Sequence, residues 1–494
     1  MIFSRPRAGF ARILTASALL ASLVFLSGCE TSPATGESFF TGGLTKDKEA
    51  ALGAQEHEKI LQQFGGSYDD PELAQYITSL GNLLVKTSET PDDKFTFTVL
   101  DSPVVNAFAL PGGYVYLTRG LLALADDEAE IAGVTAHEIG HVTARHASQR
   151  YGRAVGTSIL AAGVGILLGS QEAAAAANQV GAMALQSYSR DQEFQADLLG
   201  VRYLSRGGFE PEGMADFLTK LQADSRLSAR IAGNPDAADE FNIMQTHPRT
   251  ADRIQRAIAQ AGERPVANPI VGRDVYLSKI DGMTYGDGPN QGFTRGREFL
   301  HPELRFAFEV PLKYRIINRP DRVIAQHPDS SIIVFRQGSK PANVSLSEYL
   351  TQGFGAKLPL KNVEQIEVNG MDAVTAQARV KGQQGEHDWR LTTIQYDEKT
   401  LYNFLFITRP EATGAQALGL KRTTYSFRKL SAEEAGQLKP KRLRIYTVRA
   451  GDTAEKLAER FPFEDFKLAR FATLNGLDPK QPLKAGQKVK IIVQ

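Results

Sequence analysis

His137 and His141 stand four residues apart with Glu138 beside the first, inside a stretch where Ile131, Val134, Ile139 and Val142 recur at helical spacing. Asp127 followed by Glu130 has the form of a capping box and marks a helix start just ahead of them. Residues four apart on a helix share one face, about a turn from each other, so both imidazoles reach a single tetrahedral ion. Any fold of this chain must therefore bury a helix carrying three polar side chains and bring a further ligand to it from elsewhere. An ion held this way lowers the pKa of a coordinated water toward ~7, and a carboxylate in reach takes the proton as the water attacks a carbonyl. The pattern points to metal-assisted hydrolysis, with one Zn2+ per chain and Glu138 as general base.

Three protein ligands with one position left open are expected of such a centre. The positions three and six past His141 hold Ala144 and Ala147, which excludes the metzincin pattern. His146 lies nine residues from His137, on the opposite face of a continued helix, and reads as a surface residue. A second helix over Ser189 to Gly200, continuing to Tyr203, carries Glu193 and Asp197 four apart on one face. Glu193 is the expected third ligand, and Asp197 the acceptor that fixes the tautomer of a ligating imidazole. Ala154 to Ser170, uncharged and rich in Gly and Ala, joins the two motif helices and reads as a lid over the cleft. Ahead of the motif, two helices over residues 46–65 and 71–88 precede β-rich segments at Phe95 to Leu100 and Ala107 to Leu117 that turn at Pro111-Gly112-Gly113.

Together the His137-Glu138-Ile139-Gly140-His141 string and the Glu193 to Asp197 segment resemble the gluzincin peptidases of metallopeptidase family 48, over about residues 46–262. The resemblance implies a mainly helical zincin domain with a small sheet, acting as a zinc endopeptidase. It implies that Asn106 to Leu122 forms an edge strand that holds a peptide by strand addition. Thr246-His247-Pro248, with Arg253-Ile254 following, also matches. By that likeness His247 faces the zinc across the cleft, either stabilising the oxyanion or closing over the metal in a latent enzyme. Within the family the likeness is strongest to periplasmic quality-control members, whose substrates are unfolded or misassembled envelope proteins. Those carry tetratricopeptide repeats after the catalytic domain, and no period of about 34 residues occurs here.

Arg5, Arg7 and Arg12 lead an uncharged apolar run from Ile13 to Leu26, so residues 1–28 read as an export signal. Leu26-Ser27-Gly28-Cys29 resembles a bacterial lipobox, and Cys29 is the single cysteine in 494 residues, which makes it the expected lipidation site. Glu30 at the next position implies, by enterobacterial sorting, the periplasmic face of the outer membrane. Residues 29–45 are rich in Ser, Thr, Gly and Pro and read as a flexible tether. The metallopeptidase domain is then expected over 46–275, an α+β domain with alternating strands over 276–438, and a linker and closing module over 439–494.

That module reads strand, helix, helix, strand. Tyr446-Thr447-Val448-Arg449-Ala450-Gly451-Asp452-Thr453, Leu474-Asn475-Gly476-Leu477 and Leu483-Lys484-Ala485-Gly486-Gln487 make it resemble a LysM domain. The resemblance implies binding of N-acetylglucosamine glycans, hence peptidoglycan, through Gly451, Asp452, Thr453, Asn475, Gly476 and Leu477; Ala454 and Glu455 depart from the usual pattern. The whole chain is thus expected to be α+β and multidomain. With 57 Lys plus Arg against 56 Asp plus Glu there is no basic field to gather nucleic acid. Two other readings use the same residues: a peptidoglycan-anchored assembly factor or holdase with a latent peptidase centre, and an enzyme that cuts peptidoglycan crosslinks.

Overall fold

The computed structural model describes residues 29–155, 188–236, 247, 250–382 and 385–494. The export signal and nearly all of the expected lid lie outside the described residues. Among those described, no helix is long and apolar enough to cross a membrane.

The architecture is α+β and multidomain, as expected. Helices α1 (Lys46–Phe64) and α2 (Pro71–Thr87) open the first body, each started by a side-chain cap, Thr45 on Lys48 N and Asp70 on Leu73 N. Leu73, Ile77, Leu80 and Leu84 put one face of α2 into the core. Strands β3 (Thr96–Leu100), β4 (Ala107–Leu110) and β5 (Tyr114–Thr118) form a sheet in the order β3-β5-β4, with β5 parallel to β3 and antiparallel to β4. Strand β4 is therefore an edge. Helices α3 (Arg119–Leu124), α4 (Glu128–Thr143), α5 (Arg190–Arg206), α6 (Gly213–Ile231), α7 (Thr250–Gly262) and α8 (Arg273–Ile280) follow. Asp127 caps α4 at Glu130 N, but the Glu130 carboxylate accepts instead from Asp126 N and Lys220 Nζ. The box is half made, because Glu130 is drawn into a buried ion cluster.

The segment after Cys29 corrects the tether reading. Strands β1 (Cys29–Thr31) and β2 (Ser38–Phe40) pair as a hairpin, and Ser32, Ala34, Thr41 and Leu44 are buried. The few apolar residues there suffice because the hairpin packs on a preformed domain, and Arg145 ion-pairs with Glu30 and donates to Leu44 O.

The basic run at Lys439 to Arg444 is likewise no loose linker: strand β18 (Lys441–Thr447) pairs with β19 (Lys488–Val493) on one side and β6 (Thr284–Tyr285) on the other. Helices α10 (Ala454–Ala458) and α11 (Lys467–Leu474) complete the closing module. Its Leu443, Leu457, Phe461, Phe471, Val489 and Ile492 join the same apolar core as Leu121, Leu122, Ile131, Tyr276 and Ile280. Strand β6 and α8 thus belong to the first body, and the middle unit starts later than residue 276.

That unit is built on strands β10 (Arg315–Arg319), β11 (Arg322–Gln326), β12 (Ile332–Ser339), β13 (Lys361–Val368), β14 (Met371–Gly382), β15 (Gly385–Gln395) and β16 (Thr400–Thr408). They form one antiparallel sheet in the order β10-β11-β12-β16-β15-β14-β13. Helix α9 (Pro410–Ser426), which the alternating pattern did not announce, packs near the sheet, and Phe306, Phe308, Phe335, Tyr402, Phe404 and Phe427 fill the core. A smaller sheet of β17 (Arg428–Lys429), β9 (Phe306–Glu309), β8 (Glu298–His301) and β7 (Phe293–Arg295) adjoins it.

Candidate metal centre

Helix α4 is buried without interruption from Ala129 to His141. Glycines make its close approach to α5 feasible: a Cβ on Gly140 would stand 3.1 Å from Leu199 Cβ, and one on Gly200 3.3 Å from His137 N. This contact lays the His137–His141 face of α4 against the Glu193–Asp197 face of α5.

The polar side chains converge. His137 Nε2 and His141 Nε2 are 3.0 Å apart, and Glu193 lies 3.7 Å from the first and 3.5 Å from the second. Asp197 Oδ1 sits 2.9 Å from His137 Nδ1, on the ring edge away from the cluster. His247 Nδ1 is 3.4 Å from His137 Nε2 and 3.0 Å from Glu193 Oε1. Ligand atoms of His137, His141, Glu193 and His247 all fall within 4.8 Å of one another. Glu138 is fully buried, and its Oε1 stands 3.7 Å from His247 Nε2.

Two further residues complete the set. Arg253 of α7 binds both Asp197 oxygens, at 2.8 and 2.7 Å, and Glu193 Oε2 at 2.8 Å. Tyr188 stacks on His141 with ring centroids 3.7 Å apart. Neither role was read from the sequence, where Arg253 served only as part of a matching string. His146 is corrected outright: it is fully buried, and its Nδ1 lies 2.8 Å from His141 Nδ1. The helical-face argument failed because α4 ends at Thr143 and Arg145 takes a left-handed φ of 58°, which folds the chain back before His146.

Burial sets the electrostatics, and neighbours decide its outcome. Burial lifts Glu138 above the ordinary glutamate value, with His247 and His137 pulling the other way. Burial, then His137 and His146, hold His141 well below the ordinary histidine value, in the neutral form that ligates metal. Burial also brings His146 down to about 4, against its hydrogen bond to Gln195. For Glu193, burial is outweighed by His247 and Arg253, and for Asp197 by Arg253, so both stay ionised below their usual range. His247 is raised, since Glu193 and Glu138 overcome its burial.

This donor set fits a divalent metal ion. His137 and His141 offer imidazole nitrogens and Glu193 an ionised carboxylate, all within 4.8 Å of one another, the nitrogen and oxygen donors that such an ion takes. Both Glu138 oxygens are buried and find no hydrogen-bond partner among the described residues, as suits a base that works on a coordinated water.

The six residues expected in the closing module are spread among different tasks. Asp452 accepts from Arg449 N and Tyr446 Oη, Thr453 caps α10, and Asn475 is buried on Phe471 O and the Lys490 backbone. Gly451 and Gly476 are exposed, and Gly476 and Leu477 line a crevice shared with Lys220 and Asp126 of the first body.

Comparison with known proteins agrees with this layout. Residues 71–261 match Peptidase family M48, and residues 446–491 match the LysM domain. The chain is 32% identical over 285 residues to the beta-barrel assembly-enhancing protease of Escherichia coli K12, covering 54% of this chain and 55% of that protein. It is 26% identical over 217 residues to the mitochondrial metalloendopeptidase OMA1 of Schizosaccharomyces pombe, covering 42% of this chain and 60% of that protein. To metalloprotease LoiP of Escherichia coli K12 it is 25% identical over 239 residues, which is 47% of this chain and 89% of that protein. The chain thus spans about half the length of the first of these relatives.

Proposed function

We propose that this chain, an M48 peptidase domain carried with a LysM domain, is a zinc-dependent endopeptidase of the bacterial periplasm that hydrolyses misfolded or stalled envelope proteins. The observation that carries the reading is the convergence of His137, His141 and Glu193 beside the unpartnered carboxylate of Glu138. Zn2+, when bound, supplies Lewis acidity toward a carbonyl and toward water. His137, His141 and Glu193 hold it, and Asp197 keeps the His137 ring turned so that Nε2 faces it. Glu138 takes the proton from the attacking water and returns it to the leaving amine. A peptide reaches the centre along the free edge of β4, where Ala109 to Gly112, His141 and Tyr188 line a narrow crevice.

His247 sets the activity of this state. Its Nδ1 stands within the donor cluster, so neutral His247 would take the position otherwise open to water, and turnover would require that position to be freed. This supports the second reading as a resting condition of the same protein, a holdase whose peptidase centre is shut. Cys29, exposed at the start of the hairpin, is the proposed lipid attachment to the outer membrane. Peptidoglycan binds through the LysM domain, at Gly451 on one loop and at Gly476 and Leu477 on the other.

Glu138→Gln expressed in cells, followed by identification of what stays bound, tests the substrate class. Casein hydrolysis by the purified protein tests the chemistry, and Glu138→Gln should lower it by roughly 10²–10⁴-fold. Unchanged hydrolysis in that variant refutes the proposal.

A further inference from the structure

We infer that His146 is a positioning residue for the metal ligand His141, and that the amino-terminal hairpin holds it there through Gln195 and Glu37. The zinc arm of the test rests on the function proposed above; the hydrogen-bond chain itself does not.

Four side chains stand in sequence. His141 Nδ1 is 2.8 Å from His146 Nδ1, His146 Nε2 is 3.0 Å from Gln195 Oε1, and Gln195 Nε2 is 2.9 Å from Glu37 Oε2. Chemistry gives this chain one direction. An ionised carboxylate only accepts, so the Gln195 amide nitrogen donates to Glu37 and its oxygen turns toward His146. An amide oxygen only accepts, so the hydrogen of the neutral His146 ring sits on Nε2 and leaves Nδ1 bare. That bare nitrogen accepts from His141 Nδ1–H. The His141 lone pair is then left on Nε2, the atom 3.0 Å from His137 Nε2 and 3.5 Å from Glu193. The tautomer required for ligation at Nε2 is therefore fixed from an exposed glutamate on the hairpin, through the fully buried His146.

The hairpin is built to stay in place. Arg145, directly before His146, ion-pairs with Glu30 and with Glu49 and lies 5.7 Å from the ring of Phe39. A Cβ at Gly152 would run into the carbonyl of Phe40, so only glycine lets the stretch after His146 lie this close to β2. His137 is oriented by a carboxylate of the neighbouring helix; His141 is oriented through two neutral side chains, His146 and Gln195, by a carboxylate on the segment following Cys29. Displacing that segment loosens one ligand and leaves the other supported.

The test uses the full chain in detergent. In His146→Asn the amide Oδ1 takes the place of Nδ1, whereas in His146→Leu nothing accepts from His141. Zinc affinity, read by competition with a chelator, should fall about 10- to 100-fold in His146→Leu and stay within about threefold of the parent in His146→Asn. Gln195→Leu and Glu37→Ala should fall between the two. In the metal-free protein, 15N-imidazole NMR should show the hydrogen of His141 on Nδ1 and that of His146 on Nε2, and His146→Leu should lose the first preference. Parental affinity in His146→Leu, an Asn variant as weak as Leu, or a hydrogen on His146 Nδ1 overturns the inference. A parent that binds no zinc counts against the metal centre instead, and the NMR arm then decides the chain.

Discussion

Lys490→Met tests whether the LysM-like closing module is a passenger or part of the body that carries the metal centre. The Lys490 side chain is fully buried on β19, and its ammonium donates to the carbonyls of Ala123, Leu124 and Ala125 at 2.9, 2.8 and 2.7 Å. It also meets Asp126 Oδ1 at 2.9 Å, two residues before α4 begins. It thereby caps the end of α3 and pairs the acid at the head of the motif helix. Breaking a buried pair from one side costs ~3–5 kcal/mol. The lower end applies, because Lys220 still contacts Asp126 and Arg273 stands 3.6 Å from it, while Met fills nearly the same volume. A loss of about 3 kcal/mol, at roughly 2 °C for each kcal/mol in a unit this large, lowers Tm by about 6 °C. Calorimetry of the full chain should show that shift in the transition that also abolishes zinc binding. A shift below ~1 °C, or a separate LysM transition that moves alone, refutes the shared core.

Asp126→Asn reports the same cluster by pH. Burial raises the Asp126 carboxyl, but Lys490, Lys220 and Arg273 outweigh it and hold it below 3.8, so its stabilisation is present above that pH and lost as pH falls through the depressed value. The stability gap between parent and variant should hold constant above about pH 5 and narrow as pH falls from about 4 toward the depressed value, and a gap that stays constant down to about pH 2 contradicts the charge account. Arg253→Leu strands Glu193 and Asp197 together; the metal-free protein should lose ~3 kcal/mol or more, with part restored by Zn2+. An equal loss with and without Zn2+, measured by urea denaturation, counts against Arg253 as the counter-charge.

Local periodicity carried much of the architecture. The four-residue spacing of His137 and His141, and of Glu193 and Asp197, puts each pair on one face of its helix, because a helical face depends only on local geometry. What escaped depended on departures from regularity or on contacts across the chain. His146 was assigned to the wrong face because nothing in Ala144-Arg145 announces a left-handed φ at arginine. Residues 29–45 read as a tether because the burial of the hairpin comes from Arg145 and the helical stretch beyond it, not from its own composition. The run Lys439 to Arg444 reads as a linker because charged residues on an exposed strand look the same in sequence as charged residues on a loop.

These corrections concern the two ends of one helix. Helix α4 is buried along the length that carries the metal ligands, so it contributes the ligand spacing but cannot by itself fix where that spacing lies against α5. Its amino end is held by Lys490 from the last strand of the chain, through Asp126. Beyond its carboxyl end, Arg145 is held by Glu30 and His146 by the Gln195–Glu37 chain, both reaching the first hairpin. The first hairpin and the closing module thus grip opposite ends of the helix that bears His137, Glu138 and His141. A displacement at either end bears on α4 through side chains already in contact, with no further transmitting element required. On this account a pull that shifts α4 by a fraction of an ångström against α5 changes the spacing between His141 and Glu193 directly, since these two residues belong to different helices.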